Sequence, residues 1–175
     1  MFRKLRYNLF FSLLRKMNTT TIRQGRPDDI PAVLALVKEL AEYERAPLEV
    51  TNTVEEMLAD GFGENPVYGL FVAEVENQIV GIAIHYVRYS TWKGKMLFLE
   101  DIVVKESLRR QGIGKLLFEK CIDLTIEKNY PGMVWQVLDW NEPAINFYNK
   151  YDATLDPEWL NGKLTRAQML DIKAR

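Results

Sequence analysis

The spacing of apolar residues along the chain first predicts the helices. From Ile30 onward, apolar side chains recur every three or four residues as far as Tyr43, which is typical of a helix that buries one face. The same pattern predicts a short helix over residues 54–58, a long one over 112–128 and a further one over 140–150. These four segments are therefore expected to cover a core with their apolar faces.

Runs of apolar, β-branched and aromatic residues predict the strands. They lie at 20–24, 68–75, 78–88, 96–104 and 133–138, with two more in the tail at 153–155 and 163–170. Glu76 and Asn77 are expected to form a tight hairpin turn, and residues 89–95 a polar loop. The resulting order, β-α-α-β-β-β-α-β-α-β, indicates the α/β class (α+β mixed), with helices flanking a central mixed sheet.

The first sixteen residues differ from the rest. They hold five of the 23 Lys and Arg residues and none of the 24 Asp and Glu residues, with apolar residues at helical spacing. This pattern fits an accessory helix, or an extension of the reading frame before Met17, and its apolar centre is too short to span a bilayer. We assign residues 1–16 to a basic extension and residues 17–175 to a single domain.

Composition narrows the classes of function. A formal net charge of −1 argues against a protein that binds nucleic acid by neutralising phosphates. Cys121 is the only cysteine, which rules out intrachain disulfides and favours a reducing compartment. His85 is the only histidine, so a zinc site or a cysteine–histidine catalytic pair has almost no ligands to draw on. We therefore expect no metal.

The strongest chemical signal lies between the strand at 96–104 and the helix at 112–128. This segment reads Arg109, Arg110, Gln111, Gly112, Ile113, Gly114, Lys115. The first N–H groups of a helix lack intrahelical acceptors and the helix dipole adds positive charge, so a phosphate is favoured there. The glycines allow the backbone to approach an anion closely, and the three cations add charge. A solvated turn without a ligand is the alternative.

The segment also follows the pattern Gln/Arg-x-x-Gly-x-Gly/Ala of the GNAT superfamily of N-acetyltransferases, which the chain resembles from Ile22 to about Leu170. Residues 39–44, 60–66, 99–101 and 140–148 resemble its diamine acetyltransferase branch, which includes the spermidine/spermine and thialysine enzymes. Ser90 is similar to the thialysine type, since spermidine-type members have aspartate there. The resemblance implies the GNAT fold with a mostly antiparallel sheet, acetyl-CoA as co-substrate, a small-molecule amine substrate, a homodimer and a cytoplasmic location.

The resemblance also assigns roles to individual residues. Tyr148 is expected to protonate the departing thiolate, and Glu100 to take the proton of the amine directly or through water. The turn from Arg109 to Lys115 would hold the pyrophosphate. The other expected cofactor contacts are the strand backbone at Ile102, Val103 and Val104, together with Val134, Trp135, Gln136 and Asn141. The expected amine contacts are Tyr43, Glu44, Ser90, Trp92, Glu100 and Asp101.

Two local questions and two rival functions stay open at this stage. Glu100 and Asp101 are adjacent on a strand, so they should face opposite sides of the sheet unless a bulge redirects them. Asp152 stands where the family usually has glycine, at a helix end that favours a left-handed residue. The rival functions are an acetyltransferase acting on protein N-termini or lysines, and a coenzyme A-binding module without chemistry.

Overall fold

The computed structural model describes residues 20–174, and the predicted extension over 1–16 lies outside them. The chain divides into two compact units, one ending at Gln136 and the other beginning at Val137. The single domain expected over 17–175 stays a prediction. No helix among the described residues is long and apolar enough to cross a bilayer.

A mixed sheet organises the first unit. In spatial order its strands within the described residues are β1 (Thr21–Gln24), β2 (Gly69–Val75), β3 (Gln78–Ser90), β4 (Gly94–Val104) and β5 (Met133–Trp135). β1 to β4 pair antiparallel, whereas β5 runs parallel to β4. Both Glu76 and Asn77 adopt positive φ angles, as a tight hairpin requires. The predicted mixed, mostly antiparallel sheet is therefore confirmed.

Three helices cover the two faces of this sheet. They are α1 (Ile30–Tyr43), α2 (Val54–Phe62) and α3 (Ile113–Glu127). The apolar stripes of α1 and α2 join one core with inward-facing strand residues such as Val72, Ile82 and Val103. On the opposite face α3 buries Leu117 and Cys121, so the cysteine is a small core residue, as its helical position predicts.

Two boundaries in the first unit differ from the sequence prediction. Helix α2 was expected to end before Asp60, but it continues to Phe62, and the ring of Tyr68 occupies the space that a side chain at Gly61 would need. The loop predicted over 89–95 shrinks to a three-residue turn. The Ser90 hydroxyl accepts hydrogen bonds from two N–H groups of that turn, and Gly94 takes a φ of 82°.

The second unit contains α4 (Glu142–Tyr148) and α5 (Arg166–Ala174). Helix α4 continues as a 3-10 turn to Tyr151, and Asp152 then adopts the left-handed conformation with a φ of 54°. The predicted helix at 140–150 is thus confirmed, and the position that favours glycine is indeed left-handed.

The strand predictions at the C-terminal end were wrong. The strand expected over 133–138 stops at Trp135, and neither 153–155 nor 163–170 is a strand. Instead Thr165 caps α5, because its hydroxyl accepts from the N–H of Gln168 at 3.3 Å and its own N–H donates to the Gln168 side chain at 2.7 Å. The spacing Thr-x-x-Gln was the signal for this helix.

Candidate active site

A β-bulge interrupts β4 at its acidic pair. On the neighbouring β3, Ile84 lies opposite Asp101 while the next residue, His85, lies opposite Leu99. Glu100 is therefore an extra residue in the ladder, and the strict alternation of faces is broken at this point. The bulge gives β4 the means to present two successive carboxylates on one side of the sheet.

The pKa of Asp101 shows which groups surround it. It is raised to about 6, first by burial and then by the negative charges of Glu100 and Glu44. Burial also raises the pKa of Glu44, which follows the last residue of α1. These three side chains form what we call the acidic cluster. It offers negative charge to an ammonium group, together with a carboxylate that can accept a proton near neutral pH.

Tyr86, on β3, is a further member of this region that the sequence analysis missed. Its pKa is raised by burial first, and then by the charge of Glu100 and a hydrogen bond with that residue. Its ring stacks on Phe98 at 5.0 Å between centroids. The only signal in the sequence was its alternating position on a predicted strand, which does not reveal the shift in register at the bulge.

The turn before α3 has the features of an anion site. Gly112, the residue before α3, has a φ of 85°, and it offers no side chain to cap the helix. Arg110 is also left-handed, with a φ of 63°. A Cβ added at Gly112 would meet nothing within 4 Å, and one at Gly114 would meet only Val104, at 3.7 Å. The space around these glycines therefore fits a pyrophosphate held by backbone N–H groups.

The edge of β4 beside this turn is open over part of its length. Strand β5 pairs only with Leu97, Phe98 and Leu99, and no strand of the described chain pairs with that edge over residues 100–104. This stretch contains Ile102, Val103 and Val104, and an open strand edge fits an extended partner such as a pantetheine arm.

The predicted cofactor residues on β5 lie beside this open edge. Val134 and Trp135 form the end of the short strand, and Gln136 follows it directly. The indole of Trp135 packs edge-on against Phe118 of α3, with 5.3 Å between ring centroids. The Trp135 side chain therefore belongs to the packing between β5 and α3.

Arg109 makes contacts that the sequence did not indicate. Its Nε donates to the carbonyl oxygen of Val104 at 3.1 Å, and its guanidinium carbon lies 5.2 Å from the ring centroid of Tyr43. The side chain thus joins the end of β4 to the end of α1. The family resemblance instead implies a contact of Arg109 with the pyrophosphate and of Tyr43 with the amine.

Ser90 and Trp92 lie at the tip of the β3–β4 hairpin. The Ser90 hydroxyl accepts hydrogen bonds from Trp92 N and Lys93 N, both at 3.2 Å, and the Trp92 side chain is 85% exposed. Ser90 is five residues from His85, which is about 17 Å along a strand. The structure does not bring these two predicted substrate contacts into the acidic cluster.

His85 does not serve as a base in this region. It is buried, its ring lies 5.0 Å from that of Phe71, and burial lowers its pKa to about 4. Its Nε2 has no hydrogen-bond partner within the described part of the chain. The imidazole is therefore neutral at physiological pH and enclosed by the sheet and its neighbours.

In the second unit, two predicted residues lie at the two ends of α4, Asn141 just before it and Tyr148 as its last residue. Tyr148 is buried, with its ring edge-on to Phe147 at 5.3 Å, and burial raises the pKa of its phenol to about 12. The phenol therefore carries its proton at neutral pH. Asn141 caps α4, because its side-chain oxygen accepts from the N–H of Ala144 at 3.3 Å.

Comparison with known proteins now identifies the family. The model of the Acetyltransferase (GNAT) family matches residues 33–152. The chain belongs to the GNAT acetyltransferase family. Thialysine N-epsilon-acetyltransferase of Mus musculus is 35% identical over 170 residues, covering 91% of the chain and all of the relative. The Bos taurus protein of the same name is 40% identical over 140 residues, covering 75% of the chain and 82% of the relative.

Solved structures support the same fold. An aminoglycoside acetyltransferase from an uncultured soil metagenomic sample, in complex with sisomicin, has a TM-score of 0.70 at 21% identity, covering 85% of the chain and 97% of the other. An aminoglycoside N-acetyltransferase in complex with CoA has a TM-score of 0.65 at 20% identity, covering 85% and 95%. At these identities the likeness shows the GNAT fold alone, as the sequence predicts.

In this GNAT acetyltransferase the predicted site residues of the first unit therefore lie in separate regions. The first unit brings Glu44, Glu100 and Asp101 together, and it joins Tyr43 to Arg109. It places Ser90 and Trp92 elsewhere, at the hairpin tip. Among the described residues no group of His, Cys, Asp or Glu side chains could hold a metal ion.

Proposed function

We propose that this chain transfers the acetyl group of acetyl-CoA to a primary amine of a small molecule, by direct attack in a ternary complex. The observation that carries the proposal is the acidic cluster beside an open strand edge: the bulge in β4 places Glu100 next to Asp101, and the end of α1 adds the charge of Glu44. A cationic amine and a thioester can meet there, because the acids attract the first and the edge pairs with the arm of the second.

We assign the first proton transfer to Asp101, with Glu100 and Glu44 holding the ammonium group. A pKa of about 6 leaves the Asp101 carboxylate ionised at neutral pH and close enough to that pH to be an effective acceptor. The family resemblance implies Glu100 for this step. The burial of Asp101 supports assigning this step to Asp101 instead of Glu100. The proton can pass from the amine to the carboxylate directly or through water.

The turn from Arg109 to Lys115 would hold the pyrophosphate, and the backbone of residues 102–104 the pantetheine arm. Gly112 and Gly114 leave room for the anion, and the absence of a side-chain cap leaves the start of α3 to a ligand. When bound, acetyl-CoA supplies the thioester whose carbonyl carbon the amine nitrogen attacks. The C–N bond forms, and the C–S bond breaks to release a thiolate.

We assign the protonation of that thiolate to Tyr148. Burial keeps the pKa of its phenol at about 12, so the proton is present whenever the thiolate leaves. The family resemblance, rather than packing on α4, supports this role for Tyr148. Phe147 beside it is assigned only to packing.

The names of the relatives support the substrate class. Two are named thialysine N-epsilon-acetyltransferases, and spermidine/spermine N(1)-acetyltransferase-like protein 1 of Homo sapiens is 32% identical over 166 residues, covering 89% of the chain and 24% of that protein. Ser90, at the hairpin tip away from the acidic cluster, lacks the carboxylate of the spermidine type and so offers no charge to the far end of a long polyamine; we therefore propose a preference for thialysine-like amino acids. A homodimer and a cytoplasmic location are proposed on the resemblance alone.

Turnover of acetyl-CoA over a panel of amines tests the proposal. The panel contains thialysine, lysine, ornithine, spermidine, spermine and a lysine-bearing peptide, and free coenzyme A is measured. We expect turnover with the small amines and the highest kcat/KM with thialysine. Turnover with the peptide alone would favour the protein acetyltransferase, and binding of acetyl-CoA without turnover would favour the module without chemistry.

The variant Tyr148→Phe tests the acid. We expect turnover to fall by about 10²–10⁴-fold, the usual contribution of a positioned acid, since the phenol proton is removed while the ring remains. Acetyl-CoA affinity, measured by calorimetry, should stay within about twofold, because the hydroxyl is not assigned to cofactor binding. Phe147→Leu is the matched control on the same helix. Equal turnover in wild type and Tyr148→Phe would show that another group supplies the proton.

A further inference from the structure

We infer that Arg109 is a positioning residue that couples the cofactor turn to the amine-binding end of α1, so that CoA and the amine strengthen each other's binding. The inference rests on the proposed function, because it needs both ligands. It differs from a direct grip of Arg109 on the pyrophosphate. In our proposal the guanidinium acts through Tyr43.

The contacts of Arg109 point to this role. Its Nε donates to Val104 O at 3.1 Å, which fixes the guanidinium against the last residue of β4. The guanidinium carbon lies 5.2 Å from the Tyr43 ring centroid, within the range of a cation–π contact. One side chain therefore contacts a strand end and a helix end while its own backbone belongs to the turn.

On the helix side, the contact leads directly to the acidic cluster. Tyr43 is the last residue of α1 and Glu44 follows it, with its N–H bonded to Leu40 O at 2.8 Å. Arg45 is left-handed, and Ala46 N bonds back to Ala41 O at 2.8 Å. These bonds hold the end of α1 together as one unit, so a ligand that displaces or orders its backbone at Tyr43 does the same at Glu44, whose charge acts on Asp101.

On the turn side, the contact leads to the anion site. Arg109 is followed directly by Arg110, whose φ is 63°. Gly112, two residues after Arg110, has a φ of 85° and is the residue before α3. A ligand that fixes the N–H groups of this turn also fixes the backbone from which the Arg109 side chain extends. Since a coupling free energy between two sites is reciprocal, an amine that orders the end of α1 must favour CoA to the same degree.

The experiment measures both affinities, each with and without the other ligand. CoA, which has no acetyl group to transfer, is titrated calorimetrically with the amine that gives the highest kcat/KM in the panel above. We expect saturating CoA to tighten amine binding by about fivefold or more in the wild type, a factor typical of coupled sites. In Arg109→Gln, Tyr43→Leu and the double variant this factor should fall to about one, and the double variant should lose no more than either single variant.

Three further variants separate coupling from general damage. Tyr43→Phe keeps the ring and should keep the coupling factor. Arg109→Lys keeps a cation and should retain part of it, because a lysine cannot reproduce the planar guanidinium. Lys120→Gln removes a similar cation–π contact elsewhere, since its Nζ lies 5.8 Å from the Phe71 ring, and it should leave the factor unchanged.

Two results would overturn the inference. One is a wild-type coupling factor in Tyr43→Leu. The other is a tenfold loss of amine-free CoA affinity in Arg109→Gln without any change in Tyr43→Leu, which would place the guanidinium on the pyrophosphate. Failure of the wild type to bind CoA at all would be a different result, because it would overturn the proposed function itself.

Discussion

Helices α2 and α3 begin in opposite ways. At the start of α2 the Thr53 hydroxyl accepts from Glu56 N at 3.1 Å, and the Glu56 carboxylate accepts from Thr53 N at 3.0 Å. This capping box satisfies N–H groups at both positions. At the start of α3 no side chain caps Gly112, and the first turn holds no acid. At the start of α2 the protein's own side chains accept hydrogen bonds from N–H groups, whereas the start of α3 leaves its N–H groups to solvent or a ligand.

The charged residues near the two helix starts also differ: they are acidic at α2 and basic at α3. The first turn of α2 carries Glu55 and Glu56, which complement the positive end of the helix dipole. At α3 the chain places Arg110 shortly before the helix and Lys115 in its first turn, near that same positive end, which is unfavourable for the helix alone. These cations lower the stability of α3 by itself, but they attract an anion, as a binding site for pyrophosphate requires.

The largest effect is expected when an acidic side chain is added to the first turn of α3, which makes it resemble the start of α2. In Gly114→Asp the new carboxylate would lie in the first turn of α3, where an added Cβ meets only Val104 at 3.7 Å. We expect acetyl-CoA affinity, measured by calorimetry, to fall by about 100-fold or more because of like-charge repulsion. Folding stability should stay equal or rise by up to about 1 kcal/mol, because the acid complements the dipole and replaces a helical glycine.

Gly114→Asn is the matched control, since it adds nearly the same volume without the charge. It should weaken acetyl-CoA binding much less than Gly114→Asp does. If the two variants bound acetyl-CoA equally well, the charge of the turn would have no role. If both bound it like the wild type, the pyrophosphate would have to lie elsewhere.

A smaller change tests the backbone of the turn. Gly112 and Gly94 have φ angles of 85° and 82°, and an added Cβ at either would meet nothing within 4 Å. Each alanine variant should therefore lose about 1–2 kcal/mol of stability through left-handed strain alone. Only Gly112→Ala should also weaken acetyl-CoA binding, by about tenfold, because relief of the strain turns the N–H groups away from the anion. Equal acetyl-CoA affinity in the two variants would remove Gly112 from the site.

The open helix start could be read from the sequence because every part of it is local. Arg109, Gly112 and Gly114 lie within six residues, and a strand pattern and a helix pattern flank them. The apolar spacing of α1 was equally informative, since one buried face over fourteen residues leaves little ambiguity. Roles that follow from local backbone geometry were therefore accessible without the structure.

The acidic cluster could be read only in part. Glu100 and Asp101 were candidates because acids are unusual in an apolar strand, but the bulge depends on the register between β3 and β4. A register is a relation between two segments, and hydrophobic spacing within one segment does not determine it. The contact between Arg109 and Tyr43 was hidden for the same reason, because it joins residues that are far apart in sequence.

The tail shows the opposite error, in which a pattern was given too much weight. Residues 163–170 contain apolar residues at spacings that suit either a strand or a helix, and the strand predicted there is wrong. The Thr165–Gln168 capping box decides the matter locally, and it was present in the sequence. A helix-start signal should therefore have outweighed the apolar spacing there.

The smallest effect is expected from removing the side-chain cap at the start of α2. Thr53→Ala removes the hydroxyl that accepts from Glu56 N, and the loss of such a cap costs about 1 kcal/mol. For a chain of this size we expect thermal denaturation to show a Tm lower by about 2–4 °C. Thr53→Ser, which keeps the hydroxyl, should restore most of that loss. Acetyl-CoA affinity should not change in either variant, because no part of the cofactor is assigned to the start of α2. A fall in that affinity in Thr53→Ala alone would show that the two helix starts are not independent, and that α2 also supports the anion site.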